Sequence, residues 1–407
     1  MSDIHLIKRF LAHRWLQNAL ATAVTAISIA LAVTTLLLAE GLHGGLVRAT
    51  EPFPILMGAK GSPNQLVLNC VFLQDQPIGN IPYAEVEKLR TDKNVASAVP
   101  LAFGDSYMGY RIVGTEKAIF QMGGISKSAH RWLKVEKGRE FENEHEAVLG
   151  SSTAASLGLK VGDTFSSVHG LVAIPNQEKH DERFTVVGIL APHGGPYDSA
   201  ILTGIENIWK AHAHHDKDDT EGDAAEAHHE GHETTAVIIK PTGYGQAMQL
   251  AASYSKDVGV QVVFPAQIIV RLFYLMGNVE GVMKAFSYGA IALALAIIAC
   301  SMYWSILGSQ RDQGIMRAIG ATQGDITTIN FKMGLTIAVI GTVLGTLLGH
   351  AAYLSIAAIL RSKAAISATA GFLPQEAYLI IGVLICASVC AWLPSAILAK
   401  RDIVESL

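Results

Sequence analysis

Hydrophobic and polar residues are distributed along this chain in long blocks rather than in a uniform mixture. Four blocks are almost entirely apolar, and at about 1.5 Å of helix rise per residue each can cross the ~30 Å hydrocarbon core of a bilayer. The pattern therefore predicts four transmembrane helices, at 15–40, 283–308, 332–361 and 377–399.

The block between the first two helices, 41–282, has the composition of a water-exposed domain, with Pro, Gly, Asp and Asn between short apolar runs. We predict a strand that ends at Gly150, followed by an alanine-rich helix that Gly158 and Gly162 close. Other runs predict strands at Gln65–Phe72, Tyr110–Gly114 and Phe184–Leu190, and a helix at Tyr83–Arg90. The predicted fold class is a four-helix membrane protein with a large α+β extracytoplasmic domain between helices 1 and 2.

Charged residues beside the first apolar block predict the topology. Lys8, Arg9 and Arg14 precede this block, and the positive-inside tendency places residues 1–14 in the cytoplasm. A cleaved signal peptide is the alternative, but its apolar region is normally about 7–15 residues long, so we favour a retained helix. The predicted cytoplasmic segments are then 1–14, 309–331 and 400–407, and the external ones are 41–282 and 362–376.

The polar segment between the second and third predicted helices is strongly patterned. Residues 310–326 read QRDQGIMRAIGATQGDI. They resemble the R-E-I-G-I-x-R-A-L-G-A-T signature of FtsX/MacB-type ABC transporter permeases, the family that includes the lipoprotein-releasing LolC and LolE permeases. Asp312 and Gln313 depart from that signature. The stretch 394–407 resembles the family's P-A-x-x-A-A-x-x-D-P-V-E-A-L ending, with Ile403 in place of the second proline.

The resemblance implies a division of labour between this chain and an ABC ATPase subunit. The sequence contains no G-x-x-x-x-G-K-[ST] loop, so we predict that this chain is not an enzyme and that ATP binds to the partner. A second permease chain, identical or similar, is implied as well, in the bacterial inner (plasma) membrane. The candidate ATPase-coupling residues are Arg311, Asp312, Gly314, Arg317, Gly320 and Asp325.

A histidine-rich segment at 210–235 interrupts the extracytoplasmic domain. Imidazole and carboxylate groups are suitable zinc ligands, and His228 and His232 would share one side of a helix. The alternative is a solvated loop whose histidines bind metal only adventitiously. The candidate metal ligands are His212, His214, His215, His228, His229 and His232. Outside this segment, we favour local hydrogen bonding for His193 and helix packing for His350.

The third apolar block contains glycines at every fourth position, Gly341, Gly345 and Gly349. This G-x-x-x-G-x-x-x-G face allows another helix to approach closely, and the alternative is the general tolerance of membrane helices for glycine. The net charge of −4 gives no electrostatic basis for nucleic-acid binding. Four cysteines, mostly within apolar blocks, provide no disulfide framework.

Three functions fit this organisation. The first is an ABC transporter permease that couples ATP hydrolysis by a separate subunit to movements of its periplasmic domain, and so moves or extracts a periplasmic or membrane-embedded substrate. The second is a zinc-handling or zinc-uptake system that uses the histidine-rich segment. The third is mechanical signalling to a cell-wall hydrolase. Membrane lipids and a periplasmic or lipoprotein partner belong to these expectations.

Overall fold

The computed structural model describes residues 15–123, 131–170, 179–215, 232–308, 310–364 and 371–398. The described residues divide into two compact units. The membrane unit comprises the described residues within 15–42, 276–359 and 371–398, and the sheet unit those within 43–275 and 360–364.

The described residues form ten α-helices, of which four contain segments long and apolar enough to cross a membrane. These candidate spans are Trp15–Thr50, Lys284–Gly308, Gln323–Leu360 and Pro374–Leu393. Each coincides with one predicted apolar block. The helices are α1 (Trp15–Thr50), α2 (Pro63–Cys70), α3 (Ala84–Thr91), α4 (Ser151–Leu157), α5 (Ile205–His215), α6 (Tyr244–Ser253), α7 (Pro265–Gly308), α8 (Gln310–Ala318), α9 (Gln323–Ala364) and α10 (Pro374–Leu398).

Twelve strands lie in the described part of the sheet unit. They are β1 (Ile55–Ala59), β2 (Ile81–Pro82), β3 (Val95–Tyr107), β4 (Tyr110–Thr115), β5 (Val135–Gly138), β6 (Glu146–Leu149), β7 (Thr164–His169), β8 (Lys179–Leu190), β9 (Ala200–Gly204), β10 (Glu233–Thr234), β11 (Ala236–Pro241) and β12 (Val260–Val263). Ten of them form one sheet in the order β12-β1-β11-β3-β4-β9-β6-β8-β5, with β7 paired to β3 and β8. Only the β4–β9 and β6–β8 pairs are parallel, and β10 pairs with β2 in a separate small sheet.

The large sheet is buried on both faces, which explains why several of its strands are apolar at every position. Along β11, Ile238 enters one hydrophobic core, whereas Val237 and Ile239 enter another on the opposite face. In β4 the same alternation sends Val113 into the first core and Ile112 into a third. Because successive side chains of a strand point to opposite faces, a sheet covered on both sides requires apolar residues in both registers.

The predicted strand at Gln65–Phe72 is wrong, because this stretch forms helix α2. Ser62 caps the helix by accepting a hydrogen bond from Gln65 N at 3.3 Å, and Pro63 occupies the first turn, where its missing N–H costs nothing. The apolar residues that suggested a strand also fit a helix that buries Leu66, Val67 and Cys70.

The other predicted elements of this domain are confirmed. Strand β4 covers Tyr110–Gly114, helix α3 lies within one residue of the predicted Tyr83–Arg90, and β8 ends with Phe184–Leu190. The strand β6 ends at Leu149, helix α4 follows, and Gly158 terminates it with a left-handed φ of 68°.

Candidate coupling site

The polar segment between the second and third apolar blocks is helical rather than an open loop. Helix α8 ends in a Schellman arrangement: Ala321 N donates to Met316 O at 2.9 Å, and Gly320 N donates to Arg317 O at 3.1 Å. Gly320 has a φ of 106°, a left-handed conformation that favours glycine. The conformation of Gly320 therefore sets the sharp turn between α8 and α9.

A capping box starts the helix on the other side of this turn. Thr322 Oγ1 accepts a hydrogen bond from Asp325 N at 3.2 Å, and Asp325 Oδ2 accepts one from Thr322 N at 2.9 Å. The Thr322 hydroxyl also donates to the same carboxylate oxygen at 2.6 Å. Asp325, a predicted coupling residue, thus lies at the start of α9, where it holds the turn in place.

Helix α8 and the residue that follows it carry two exposed apolar side chains that the coupling motif did not single out. Ile315 is 53% exposed and Ile319 is 80% exposed. They are separated by four positions, so they lie on neighbouring turns of the same helical face. Their spacing within an otherwise polar segment is the sequence signal that could have identified them.

The remaining predicted coupling residues lie on or beside this short helix. A Cβ atom added to Gly314 or Gly320 would meet nothing within 4 Å among the described residues. Neither glycine is therefore needed for close packing inside this part of the chain. Arg317 is half-buried in α8. The backbones of Arg311 and Asp312 lie in α8, and their side chains are outside the part of the chain that the structure describes.

The three predicted packing glycines all lie against α1. A Cβ atom at Gly341 would come within 2.8 Å of Thr25, and one at Gly345 within 2.6 Å of the Ala26 carbonyl oxygen. At Gly349 it would come within 2.9 Å of Val33 Cβ. Contacts this short require glycine, so the backbones of α9 and α1 approach closely along the whole stripe.

A His–Glu pair connects α9 and α10 within the membrane unit. Glu376 is fully buried, and its Oε2 lies 3.5 Å from His350 Nε2. Its other oxygen accepts a hydrogen bond from Leu373 N at 2.9 Å, and His350 Nδ1 lies 3.1 Å from Thr346 O. His350 thus contacts a neighbouring helix, which is the packing role that we favoured for it.

The candidate zinc ligands are not assembled in the described residues. The backbones of His212, His214 and His215 end α5, but their side chains lie outside the described part, as do His228 and His229. His232 is exposed and is not helical, and its carbonyl accepts a hydrogen bond from Tyr83 N at 2.8 Å, beside the β10–β2 pair. The predicted helical arrangement of His228 with His232 involves residues outside the described part and stays a prediction. Among the described residues, no group of three or more His, Cys, Asp or Glu side chains could hold a metal ion.

The two ends of the histidine-rich segment are nevertheless held together. The indole ring of Trp209 in α5 stacks on His232 with ring centroids 4.1 Å apart, and its Nε1 donates to Glu233 O at 2.6 Å.

His193 lies outside the histidine-rich segment, and its Nδ1 is 2.7 Å from Asp198 Oδ1. Burial raises the Asp198 pKa, but His193 and the backbone N–H groups of His193 and Gly194 outweigh it and lower the pKa below its usual range.

The four apolar helices, the large α+β unit and the patterned turn between α8 and α9 define a multi-pass membrane permease. Comparisons with known proteins agree. The MacB-like periplasmic core domain matches residues 19–250, and the FtsX-like permease C-terminal domain matches residues 284–403. The chain therefore belongs to the FtsX/MacB-type family of ABC transporter permeases.

Individual relatives are distant. An uncharacterized ABC transporter permease, MJ1507, from Methanocaldococcus jannaschii is 25% identical over 255 residues, which cover 59% of this chain and 56% of that protein. Among solved structures, the extracellular domain of the noncanonic ABC-type transporter YknZ from Gram-positive bacteria matches 51% of this chain and 98% of its own, with 12% identity and a TM-score of 0.31. The periplasmic region of MacB from Actinobacillus actinomycetemcomitans matches 55% of this chain and 95% of its own, with 10% identity and a TM-score of 0.34.

Proposed function

We propose that this chain is the permease subunit of an ABC transporter in which a separate ATPase binds to α8 and drives movements of the sheet unit. The termini would lie in the cytoplasm of a bacterial inner membrane and the sheet unit in the periplasm. A second permease chain, identical or similar, would complete the complex. Its work would be to move or extract a periplasmic or membrane-embedded substrate.

The observation that carries this proposal is the exposed face of α8. Ile315 in α8 and Ile319 directly after it present apolar surface at the end of this short helix. Gly320 terminates the helix, and the capped α9 follows at once. Exposed apolar patches bordered by polar residues are typical of protein interaction sites. Because this chain belongs to an ABC permease family, the partner that we propose for this apolar surface is an ABC ATPase.

Association between the chain and its ATPase tests the proposal. The ABC ATPase that copurifies with the tagged chain from native membranes would be expressed separately and titrated against the chain in nanodiscs. Ile319→Asp should weaken association at least tenfold, about 1.4 kcal/mol, because it places a charge in an apolar contact. Val258→Asp is the matched control, since Val258 is 89% exposed in the sheet unit. Equal affinities for both variants and the unaltered chain would contradict the assignment of α8.

Zinc handling is a second candidate function, supported by a specific feature. Six histidines and eight acidic residues lie within 210–235, and the stacking of Trp209 on His232 pins the ends of this segment. Holding the ends together reduces the entropy lost when the segment closes around an ion. Neutral imidazoles are the binding form, so acid would release the metal.

A zinc titration by calorimetry tests this second candidate on the full chain in nanodiscs. We expect saturable, sub-micromolar binding that disappears when all six candidate histidines are replaced by Asn. Replacing His193 alone with Asn is the control and should leave zinc binding unchanged, because His193 interacts locally with Asp198. Weak, unsaturable zinc binding by the unaltered chain would contradict this candidate function and would indicate that the histidine-rich segment is a polar surface insertion.

A further inference from the structure

Arg111 is buried in the sheet unit, and none of the described residues forms the ion pair with it that such a side chain normally has. It lies on β4 opposite Ser106 of β3 and is only 5% exposed. Its guanidinium carbon lies 5.8 Å from the centre of the Phe103 ring. Cys70 and Tyr197, two further neighbours, are completely buried and neutral, because burial raises the pKa of each.

Two donors of this guanidinium are unmatched. Nε and Nη2 of Arg111 are buried and have no hydrogen-bond acceptor in the part of the chain that the structure describes. These two nitrogens form one edge of the planar group, so their N–H bonds point in nearly the same direction. A fork of this shape fits two oxygens of one carboxylate or phosphate.

Residues that act on Arg111 through charge make their hydrogen bonds to other donors. The Cys70 carbonyl accepts the Tyr197 hydroxyl at 2.8 Å, and Asp75 Oδ1 accepts the Gln76 amide at 2.8 Å. Asp75 influences Arg111 through its charge, but among the described residues no carboxylate lies within ion-pair distance of the guanidinium. Burial consequently lowers the pKa of Arg111. A buried charge without a matched partner destabilises the fold, so its retention requires another reason.

Arg139 of the same unit provides a direct contrast. Its two terminal nitrogens each donate to one oxygen of Glu146, both at 2.6 Å. The arrangement is the bidentate pairing that the Arg111 fork lacks. Arg139 thus has its carboxylate within the sheet unit, whereas the described residues supply no oxyanion to the Arg111 fork.

We propose that the Nε–Nη2 edge of Arg111 is a binding site for an oxyanion, a carboxylate or phosphate group of a ligand that enters the sheet unit. Phe103 and Tyr197 would border this group with aromatic surface, and the fork would fix its orientation. The oxyanion could belong to a soluble molecule or to a lipid headgroup, and both share this chemistry. The site is independent of ATPase association at α8.

A stability comparison tests whether Arg111 lacks a structural partner. The full chain would be unfolded thermally in dodecyl maltoside micelles in Tris chloride, so that neither the buffer nor the amphiphile supplies an oxyanion. Arg111→Met should raise the Tm by roughly 2–8 °C, since it removes an uncompensated buried charge and keeps most of the volume. Arg139→Met is the matched control and should lower the Tm, because it leaves Glu146 without its partner. A fall in Tm for both variants would overturn the proposal.

A binding comparison tests the ligand. Inorganic phosphate, acetate and phosphatidylglycerol, each added to the same micelles, would be tested for a shift in the Tm of the unaltered chain. We expect a saturable rise with at least one of them, no rise for Arg111→Met, and at least tenfold weaker binding for Arg111→Lys, which keeps the charge but loses the fork. A response to phosphate or acetate indicates a soluble ligand, and a response to phosphatidylglycerol alone indicates a headgroup. No shift with any of the three would overturn the proposal.

Discussion

Two glutamates of the sheet unit, Glu146 and Glu144, differ sharply in the number of hydrogen bonds and ion pairs that their carboxylates form. Glu146 is nine-tenths buried and accepts hydrogen bonds from both terminal nitrogens of Arg139, from the Asn143 side chain and from two backbone amides. The Arg139 contact is the main reason that the pKa of Glu146 lies well below its usual range, and burial opposes it. Glu144, two residues earlier, is exposed and pairs with Lys210 at 2.6 Å.

Replacing Glu146 with Gln should destabilise the sheet unit at pH 7 by about 1–3 kcal/mol, since Arg139 loses its charged partner. A carboxylate whose pKa is lowered by folding contributes stability that is present above its unfolded pKa, about 4.3, and that is lost as the pH falls below it. The deficit of the variant should therefore shrink below about pH 4. Thermal unfolding of the full chain in detergent between pH 3 and pH 7 measures this.

Glu144→Gln is the matched control for that measurement. Because Glu144 is exposed, solvent screens its ion pair, and we expect little change in Tm at any pH. A pH-independent deficit for Glu146→Gln, or equal deficits for the two variants, would contradict the role assigned to Glu146.

The sequence contained part of the information on these residues. Gly320 follows the last helical residues of the coupling segment and Thr322-x-x-Asp325 follows Gly320, so the turn can be recognised from local pattern alone. The isolation of Arg111 could not be predicted, because it depends on which groups distant strands and helices bring to one place. The same holds for the His350–Glu376 pair, whose members come from different helices.

Among the elements, α1 and α9 form a helix pair whose spacing is set by glycine. The three glycines of α9 bring its backbone against Thr25, Ala26 and Val33 of α1. Thr34 Oγ1 adds a hydrogen bond to the Gly349 carbonyl at 3.1 Å. Since lipid tails are as apolar as leucine, such close packing rather than a hydrophobic driving force holds membrane helices together.

Gly345→Ala should separate these two helices and destabilise the membrane unit by about 1–3 kcal/mol, because the new methyl group would overlap the Ala26 carbonyl oxygen. Gly382→Ala in α10 is the matched control, because its Cβ atom would meet nothing within 4 Å. Thermal unfolding of both variants in the same detergent measures the difference. Similar Tm values for the two would contradict the close approach of α1 and α9.

At this scale the sequence predicted the kinds of element better than their lengths. The four apolar blocks are helices, but α1 continues to Thr50 and α7 begins at Pro265, well outside the predicted spans. Apolarity marks only the part of a helix suited to lipid, so polar extensions of the same helix leave no such signal. The error at Gln65–Phe72 arose because a short apolar run fits a strand and a helix equally well.

Considered as a whole, the chain connects its two units through unbroken helix. Helix α1 passes from the membrane unit to the sheet unit between residues 42 and 43, and α7 passes back between 275 and 276. With 44 residues, α7 is about 66 Å long at 1.5 Å per residue. It ends just before α8, the proposed ATPase contact. Because a continuous helix is a stiff connection, we propose α7 as the route by which a displacement at α8 would reach the sheet unit.

In the proposed complex, ATP bound to the partner alters the sheet unit through α8. The most direct measurement is hydrogen exchange, followed by mass spectrometry, on the permease–ATPase complex with ADP and with ATP plus vanadate. We expect ATP to change hydrogen exchange at 43–50, the end of α1 that lies in the sheet unit, and at 265–272, the beginning of α7 in that unit.

Gly320→Ala should abolish this change in hydrogen exchange while ATPase binding persists, because alanine is strained at a φ of 106°. Gly324→Ala should keep this change, because Gly324 has no left-handed φ and its added Cβ would lie at an ordinary contact distance of 3.7 Å from Thr322 Oγ1. An ATP-dependent change that survives Gly320→Ala, or none in the unaltered complex, would contradict the account.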